Sequence, residues 1–344
     1  MAYGKTIELF LVNGTADSLI TAELSNWNGK AIKIPRIEVA SCNRDDITQA
    51  GVYFLFCRED DGSDSVYIGE AENVKERLVQ HLRDYRSEKE RYYWSTAVIF
   101  IGRDLNKALI RYLENRFVAI ARSCKRYLVL TKNTYRNTVM KESQIAVMEE
   151  FIDNVKVLLN ALGYKALEPL VQTDSLTTLI DDSVLSITTS AARASGKVTT
   201  EGFVVFEGAV LNQKTSVKSL SAGMQKLRES LIASEKVKDW VTTEDILFSS
   251  SSAAADFVLG YSVSGPQTWK AKDGRSLKEI EKNEMNGAHL NMALPGTDSK
   301  AERAARALQE LSNAAVRNGT SEMTLEEISA EIDAVRKKDK SQFI

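Results

Sequence analysis

The chain has 344 residues, is 43% apolar and 27% charged, and carries a formal net charge of -2. That length favours two or three domains, and that charge excludes a general coat for polyanions, so any affinity for nucleic acid must come from a local patch. Three scattered cysteines (Cys42, Cys57 and Cys124), no apolar run of membrane-spanning length and no signal-peptide cleavage pattern point to a cytoplasmic chain without a disulfide framework, thiolate zinc site or membrane partner.

In chain order, residues 1–45 read as a β-rich extension with short strands in "IELFLV" and "AIKI". Residues 46–168 mix strands and helices. "GVYFLF" and "SVYIG" are strand-like runs on either side of a hairpin loop, "CREDDGSD". "NVKERLVQHLRDY" is a helix that Asn73 caps, with Val74, Leu78 and Leu82 as its buried stripe. "STAVIFIG" is a third strand, and "NKALIRYLENRFVAIA" a second helix with Leu109, Leu113, Phe117 and Ile120 on one face. The predicted class is α+β, a small antiparallel sheet flanked by helices, followed by a second small α+β module and a helical tail. A Thr/Ser-rich stretch at 169–196 reads as a linker, 197–285 as the C-terminal module and 286–344 as the tail.

Residues that can carry chemistry concentrate between 51 and 114. Arg77 and His81 stand four apart and share a helix face. Strand alternation turns Tyr67 away from Val66 and Ile68 and makes Tyr53 a plausible cross-strand neighbour. Gly69 permits a close backbone approach or a strained turn. Glu114 lies between Leu109 and Phe117, near the apolar face but able to project from it. Phosphodiester hydrolysis suits such a set: a carboxylate holds Mg²⁺, an arginine holds the pentavalent phosphate, and a tyrosine becomes a base once a neighbour takes its proton. Taken singly, a strand tyrosine is a packing residue and a helical glutamate a solvated one; the joint order is the signal.

That order, "GVY" at 51–53, "YIG" at 67–69, then Arg77 and Glu114, resembles the GIY-YIG nuclease superfamily over about residues 46–140. The resemblance implies that Tyr53 and Tyr67 are active-site tyrosines, that Arg77 binds the scissile phosphate, that His81 assists proton transfer and that Glu114 ligates Mg²⁺, with Mn²⁺ as a substitute. Gly51 and Gly69 belong to the same motifs. Two positions depart from the pattern. Glu70 stands where many members carry a lysine, and Arg126 lies where an asparagine is expected, which leaves Asn133 and Asn137 as candidates.

From Arg103 to Arg136 the chain carries nine Lys/Arg against Asp104 and Glu114 alone, a local positive field suited to DNA. Arg111, Arg116, Arg122, Lys125, Arg126 and Lys132 are its candidate contacts. Tyr92, Tyr93 and Trp94 add rings for base stacking, with ordinary packing as the alternative.

"FSSSSAAADFVLG" and "WKAKDG" resemble a small module of unknown function that often follows such nuclease domains, and more distantly the RAMA-like modules of restriction enzymes and adenine methylases. The resemblance implies target recognition. Its serine run suits simple capping or a phosphate at a helix N-terminus. In the tail, Thr324 and Glu327 form a capping box ahead of an apolar stripe of Leu325, Ile328, Ile332 and Val335. The segment resembles the end of small antitoxins, which implies a homo-oligomer or protein partner through 299–344.

The expectation for the whole is a metal-dependent DNA endonuclease leaving 5′-phosphate and 3′-hydroxyl ends. Its rivals are a DNA-binding regulator without turnover and a toxin–antitoxin-like protein acting through its tail.

Overall fold

The run Gly51–Cys57 has no polar interruption because its strand is covered on both faces. In the computed structural model, which describes residues 4–59, 62–132, 139–171, 183–216 and 218–283, that strand is β4 (Gly51–Arg58), near the middle of a seven-stranded sheet. The strand order is β1-β2-β3-β6-β4-β5-β7, with β1 Ile7–Leu11, β2 Ile20–Leu24, β3 Gly29–Pro35, β5 Asp64–Ala71, β6 Trp94–Gly102 and β7 Leu128–Val129. All neighbours run antiparallel except β5 and β7. The sheet reaches further than the three strands read from 46–168, because β3 pairs with β6 from Gly29–Gly102 to Pro35–Thr96. The N-terminal strands therefore belong to the same sheet.

Alternation along β4 sorts its side chains between two cores. Val52, Phe54 and Phe56 join Val66 and Ile68 under α2 (Lys107–Cys124) and α3 (Glu142–Ala161). Tyr53, Leu55 and Cys57 face the other way, toward Val74, Leu78 and Leu82 of α1 (Val74–Arg86). The two helices that flank the candidate chemistry thus cover opposite faces of one sheet. The fold is α+β, and among the described residues no helix is long and apolar enough to cross a membrane.

Beyond Ser183 a second sheet, β13-β10-β9-β8, is built from Leu185–Thr188 (β8), Arg193–Thr199 (β9), Gly202–Val205 (β10) and Ile246–Phe248 (β13). Residues 185–196, expected in a linker, form a strand hairpin instead: β8 and β9 pair from Leu185–Gly196 to Thr188–Arg193 across a turn at 189–192. The Thr/Ser-rich composition that suggested a linker is also that of a half-exposed strand. The module also holds α4 (Ala222–Ala233), the small pair β11 (Val237–Lys238) and β12 (Val241–Thr242), α5 (Ser251–Leu259) and a last short helix, α6 (Gly265–Thr268). Trp269 is fully buried against Phe203, ring centroids 4.4 Å apart, and donates Nε1–H to the Ser251 carbonyl at 2.9 Å. The serine run is local structure: Ser250 caps α5 by accepting from Ala253 N–H, and Ser252 accepts from Gly265 N–H.

The chain divides into two compact units, residues 1–272 and 273–344. In the second, Ser276 and Glu279 exchange reciprocal bonds of the capping-box kind. The candidate tail at 299–344 lies outside the described residues.

Within the first unit, one ion-pair knot joins the large sheet's domain to the C-terminal module. Arg126 donates two parallel bonds to Glu201, at 2.8 and 2.6 Å, and Lys165 stands 3.2 Å from the same carboxylate. The Arg126 hydrogen bonds hold the Glu201 carboxyl down to about 2, against the cost of its burial. A carboxyl with a depressed folded-state pKa stabilises above its unfolded value near 4.5 and loses that contribution as pH falls toward 2. Glu201→Gln is therefore expected to lower the melting temperature at pH 7, by an amount equivalent to about 1 kcal/mol for this partly exposed pair. The gap between variant and wild type should close as pH drops below 4.5, which scanning calorimetry across pH checks.

Candidate active site

Strand pairing decides how the two tyrosines meet. Tyr53 lies opposite Gly69, and Tyr67 opposite Leu55, so the phenols are diagonal neighbours on one face, ring centroids 6.3 Å apart. A Cβ on Gly69 would collide with the Tyr53 hydroxyl and come within 3.0 Å of Tyr67. Of the two reasons for glycine at the strand end, close approach is the one the structure uses. Gly51, the other motif glycine, is equally confined: a Cβ there would lie 2.6 Å from the Phe100 carbonyl.

Helix α1 begins at Asn73, whose side chain accepts Glu76 N–H at 3.2 Å. That start places Arg77 and His81 one turn apart, with His81 fully buried beneath the tyrosines. Arg77 Nε donates to the Tyr53 oxygen at 3.3 Å. The Tyr53 hydroxyl also lies 2.9 Å from His81 Nε2, and His81 Nδ1 lies 2.7 Å from Glu90 Oε1. The Glu90 carboxylate only accepts, which assigns the imidazole proton to Nδ1 and leaves Nε2 to accept the Tyr53 hydrogen. Four of the five expected catalytic residues, Tyr53, Tyr67, Arg77 and His81, thus form one cluster.

Burial pushes the Tyr53 phenol well above its ordinary pKa, the neighbouring Tyr67 adds to this, and Arg77 opposes it. Tyr67 is also raised by burial, with Arg77 again opposing through a hydrogen bond. Tyr53 is 1% exposed, whereas Tyr67 is partly open and lines a groove of about 720 Å³ with Lys89, Glu90, Arg91, Tyr92 and Lys132.

Glu114 does not hydrogen-bond to this cluster, because α2 lies against the opposite face of the sheet. It is buried rather than projecting, since Ile110 and Val118, one turn away on each side, are core residues. Its Oε2 is buried with no hydrogen-bond partner. Burial, then the nearby Glu70, raises its carboxyl to about 7, while Lys107, Arg111 and Arg77 pull the other way. Its charge is in turn felt by Tyr53 and Tyr67 across the sheet. Among the described residues no group of three His, Cys, Asp or Glu is arranged around a metal position. An orphaned carboxylate oxygen does fit a hard cation that keeps several waters.

Glu70, the residue that departs from the family pattern, bonds Lys107 at 3.0 Å and lies 3.7 Å from Arg111. The remaining candidate DNA contacts divide by partner. Arg116 makes a bidentate pair with Glu149 at 2.6 and 2.8 Å, and Arg126 is held by Glu201. Arg122 donates to the Thr131 carbonyl at 2.6 Å, and Lys125 lies 3.9 Å from Glu207. Lys132 lines the groove beside Tyr67. Much of the positive field read from the sequence is thus met by carboxylates distant in the chain.

The aromatic run is committed inward only in part, since Tyr93 is 52% exposed. Trp94 is fully buried, Tyr92 stacks on Tyr67 at 5.6 Å, and the Tyr93 ring is covered by the Arg36 guanidinium at 4.6 Å. Of the two readings of "RYYW", packing describes Trp94 and Tyr92. Glu90 is the residue the sequence reading missed. It sits in "RSEKER", among charges that all resemble a solvated loop, and only tertiary placement singles it out. Asn133 and Asn137 lie outside the described residues.

Residues 185–281 match the model of a domain of unknown function, DUF4357. No curated protein and no solved structure matches the chain. The match falls on the C-terminal module and leaves the cluster around Tyr53 to be judged on its chemistry.

Glu114 supplies a test of that environment. A carboxyl raised above its unfolded value stabilises below about 4.5 and loses that contribution as pH climbs through about 7. Glu114→Gln, which stays neutral, should gain on the wild type across this window, by about 3 kcal/mol in unfolding free energy. Urea titrations at pH 5 and pH 8 read the difference directly.

Proposed function

We propose that the first domain is a GIY-YIG-type endonuclease that hydrolyses DNA phosphodiester bonds, leaving 5′-phosphate and 3′-hydroxyl ends. The observation that carries the reading is the Tyr53 hydroxyl held between Arg77 Nε at 3.3 Å and His81 Nε2 at 2.9 Å. A phenol so placed has an acceptor for its proton and a fixed positive charge for its phenolate. Tyr53 passes its proton to His81 and then takes one from a water lodged where Arg77 and the two phenols converge. The water oxygen attacks phosphorus in line with the departing 3′-oxygen. Tyr67, which lines the groove, and Arg77 hold the phosphate, and the guanidinium meets the charge that grows on the equatorial oxygens.

Glu114, with its unpartnered Oε2, is the residue that would hold Mg²⁺ or Mn²⁺. When bound, the cation supplies positive charge for the leaving oxygen. Below pH 7 the protonated Glu114 carboxyl competes with the cation, so metal demand rises as pH falls. Lys132, Lys89 and Arg91 line the groove and give the DNA backbone its approach. Glu70 moves two cations, Lys107 and Arg111, to the place where related nucleases carry a strand lysine. The C-terminal module serves target recognition, and the protein acts in the cytoplasm, where its three buried cysteines stay free thiols.

A second reading, a DNA-binding regulator without turnover, is favoured by the internal pairing of Arg116 and Arg126 and by the distance in the fold between α1 and α2. The antitoxin-like alternative rests on residues 299–344 alone.

Supercoiled plasmid and single-stranded DNA, incubated with Mg²⁺ or Mn²⁺, separate these readings. The nuclease reading expects cutting that Arg77→Ala and Glu114→Ala each reduce by about 10²-fold or more while gel-shift affinity survives. Retarded DNA without any cutting by the wild type establishes the regulator instead.

A further inference from the structure

Glu90 reaches the site from the segment between α1 and β6, nine residues after His81, and is not one of the residues the family resemblance names. Its Oε1 lies 2.7 Å from His81 Nδ1, and its side chain is 16% exposed against a histidine that is 0% exposed. With Glu90 in place the ring is closed to solvent. The other nitrogen of the same ring faces the Tyr53 hydroxyl at 2.9 Å, and that hydroxyl already accepts from Arg77. A carboxylate only accepts, so the partners assign the bonds in one direction: His81 Nδ1–H to Glu90, and Tyr53 O–H to the Nε2 left bare.

We infer that Glu90 is a positioning residue for proton transfer, fixing His81 in the Nδ1–H form so that Nε2 stands bare to receive the Tyr53 proton. The inference rests on the hydrolase reading for its catalytic consequence and on the hydrogen bonds alone for its geometry. When Tyr53 releases its proton, the O–H bond breaks, an Nε2–H bond forms, and the imidazole becomes imidazolium. The Glu90 carboxylate then faces a cation rather than a neutral ring, an attraction that exists only after transfer and so favours it. The groups that face His81 are Tyr53 from β4, Tyr67 from β5 (ring centroid 5.2 Å away), Arg77 on its own helix, and Glu90. Arg77 disfavours a second positive charge there and Glu90 is the anion that offsets it. Without Glu90, the ring would be free to turn its Nε2–H on the Tyr53 oxygen, and the relay would point the wrong way.

Two measurements test this. The chain has two histidines, so ¹⁵N-imidazole spectra of a His289→Gln protein report His81 alone. The expected wild-type spectrum shows a protonated Nδ1 and a bare Nε2, and Glu90→Ala should lose that preference. A wild-type His81 protonated on Nε2 overturns the inference even if no variant folds. In the second measurement, Glu90→Gln keeps an acceptor for Nδ1–H but removes the charge. Cleavage at saturating DNA should fall by about 10²-fold with little change in the DNA concentration needed for half-maximal rate. Loss of the carboxylate makes the imidazole less basic, so the acid limb of the rate profile should move to lower pH. A Glu90→Gln protein with unchanged rate and unchanged limb overturns the inference while leaving the hydrolase reading intact. A wild type that never cuts overturns the hydrolase reading and this catalytic role together, and the ¹⁵N spectrum then still decides the Glu90–His81 contact.

Discussion

A phenol on a fully buried strand is a difficult group to accommodate, and the first domain is organised around the way Tyr53 is satisfied. Its ring belongs to the apolar core beneath α1, yet its hydroxyl must find partners or cost about 1–3 kcal/mol. Three features meet that demand. Gly69 gives the oxygen room, Arg77 donates to it, and His81 accepts from it. Gly69 lies on β5 and both Arg77 and His81 on α1, so the hydroxyl ties β4, β5 and α1 together. In the proposed reaction the acceptor and the cation offset the burial that holds the Tyr53 phenol well above its ordinary pKa.

Charge pairing is the second organising principle. The basic stretch of α2 and the two residues after it is answered by Glu70, Glu149, Glu201 and Glu207, which lie far away in sequence. Arg116 and Arg126 are thereby spent on architecture, the latter on joining the sheet's domain to the C-terminal module. Cations that line the groove, Lys89, Arg91 and Lys132, come instead from the segment after α1 and the segment after β7. On the proposed reading, the substrate surface is the groove beside Tyr67 rather than a broad basic face, which suits a protein of nearly balanced charge.

Much of this was legible in the residue order, and what was not has a common physical reason. Local rules reached the strands around Tyr53 and Tyr67, the Asn73 cap, the shared face of Arg77 and His81, and the closeness demanded at Gly69, because each follows from neighbours within a few residues. Glu114 could have been placed in the buried stripe from its spacing to Ile110 and Val118, which is one turn in each direction. Glu90 was hidden because a glutamate among charged loop residues has no local mark of burial. The β3–β6 pairing, the Glu70–Lys107 bond and the Arg126–Glu201 fork join residues 37 to 75 positions apart, beyond the reach of any period of helix or strand. The linker reading failed at 185–196 since small polar β-formers look alike in a strand and in a loop.

The account's central claim is that Tyr53 and His81 act as one proton-transfer unit. A double-mutant cycle on cleavage rate, with Tyr53→Phe, His81→Ala and the pair, tests it most directly. Two halves of one relay predict single losses of similar size and a double variant scarcely slower than either. A double variant whose loss equals the product of the two single losses would show that phenol and imidazole work independently, and would contradict the account.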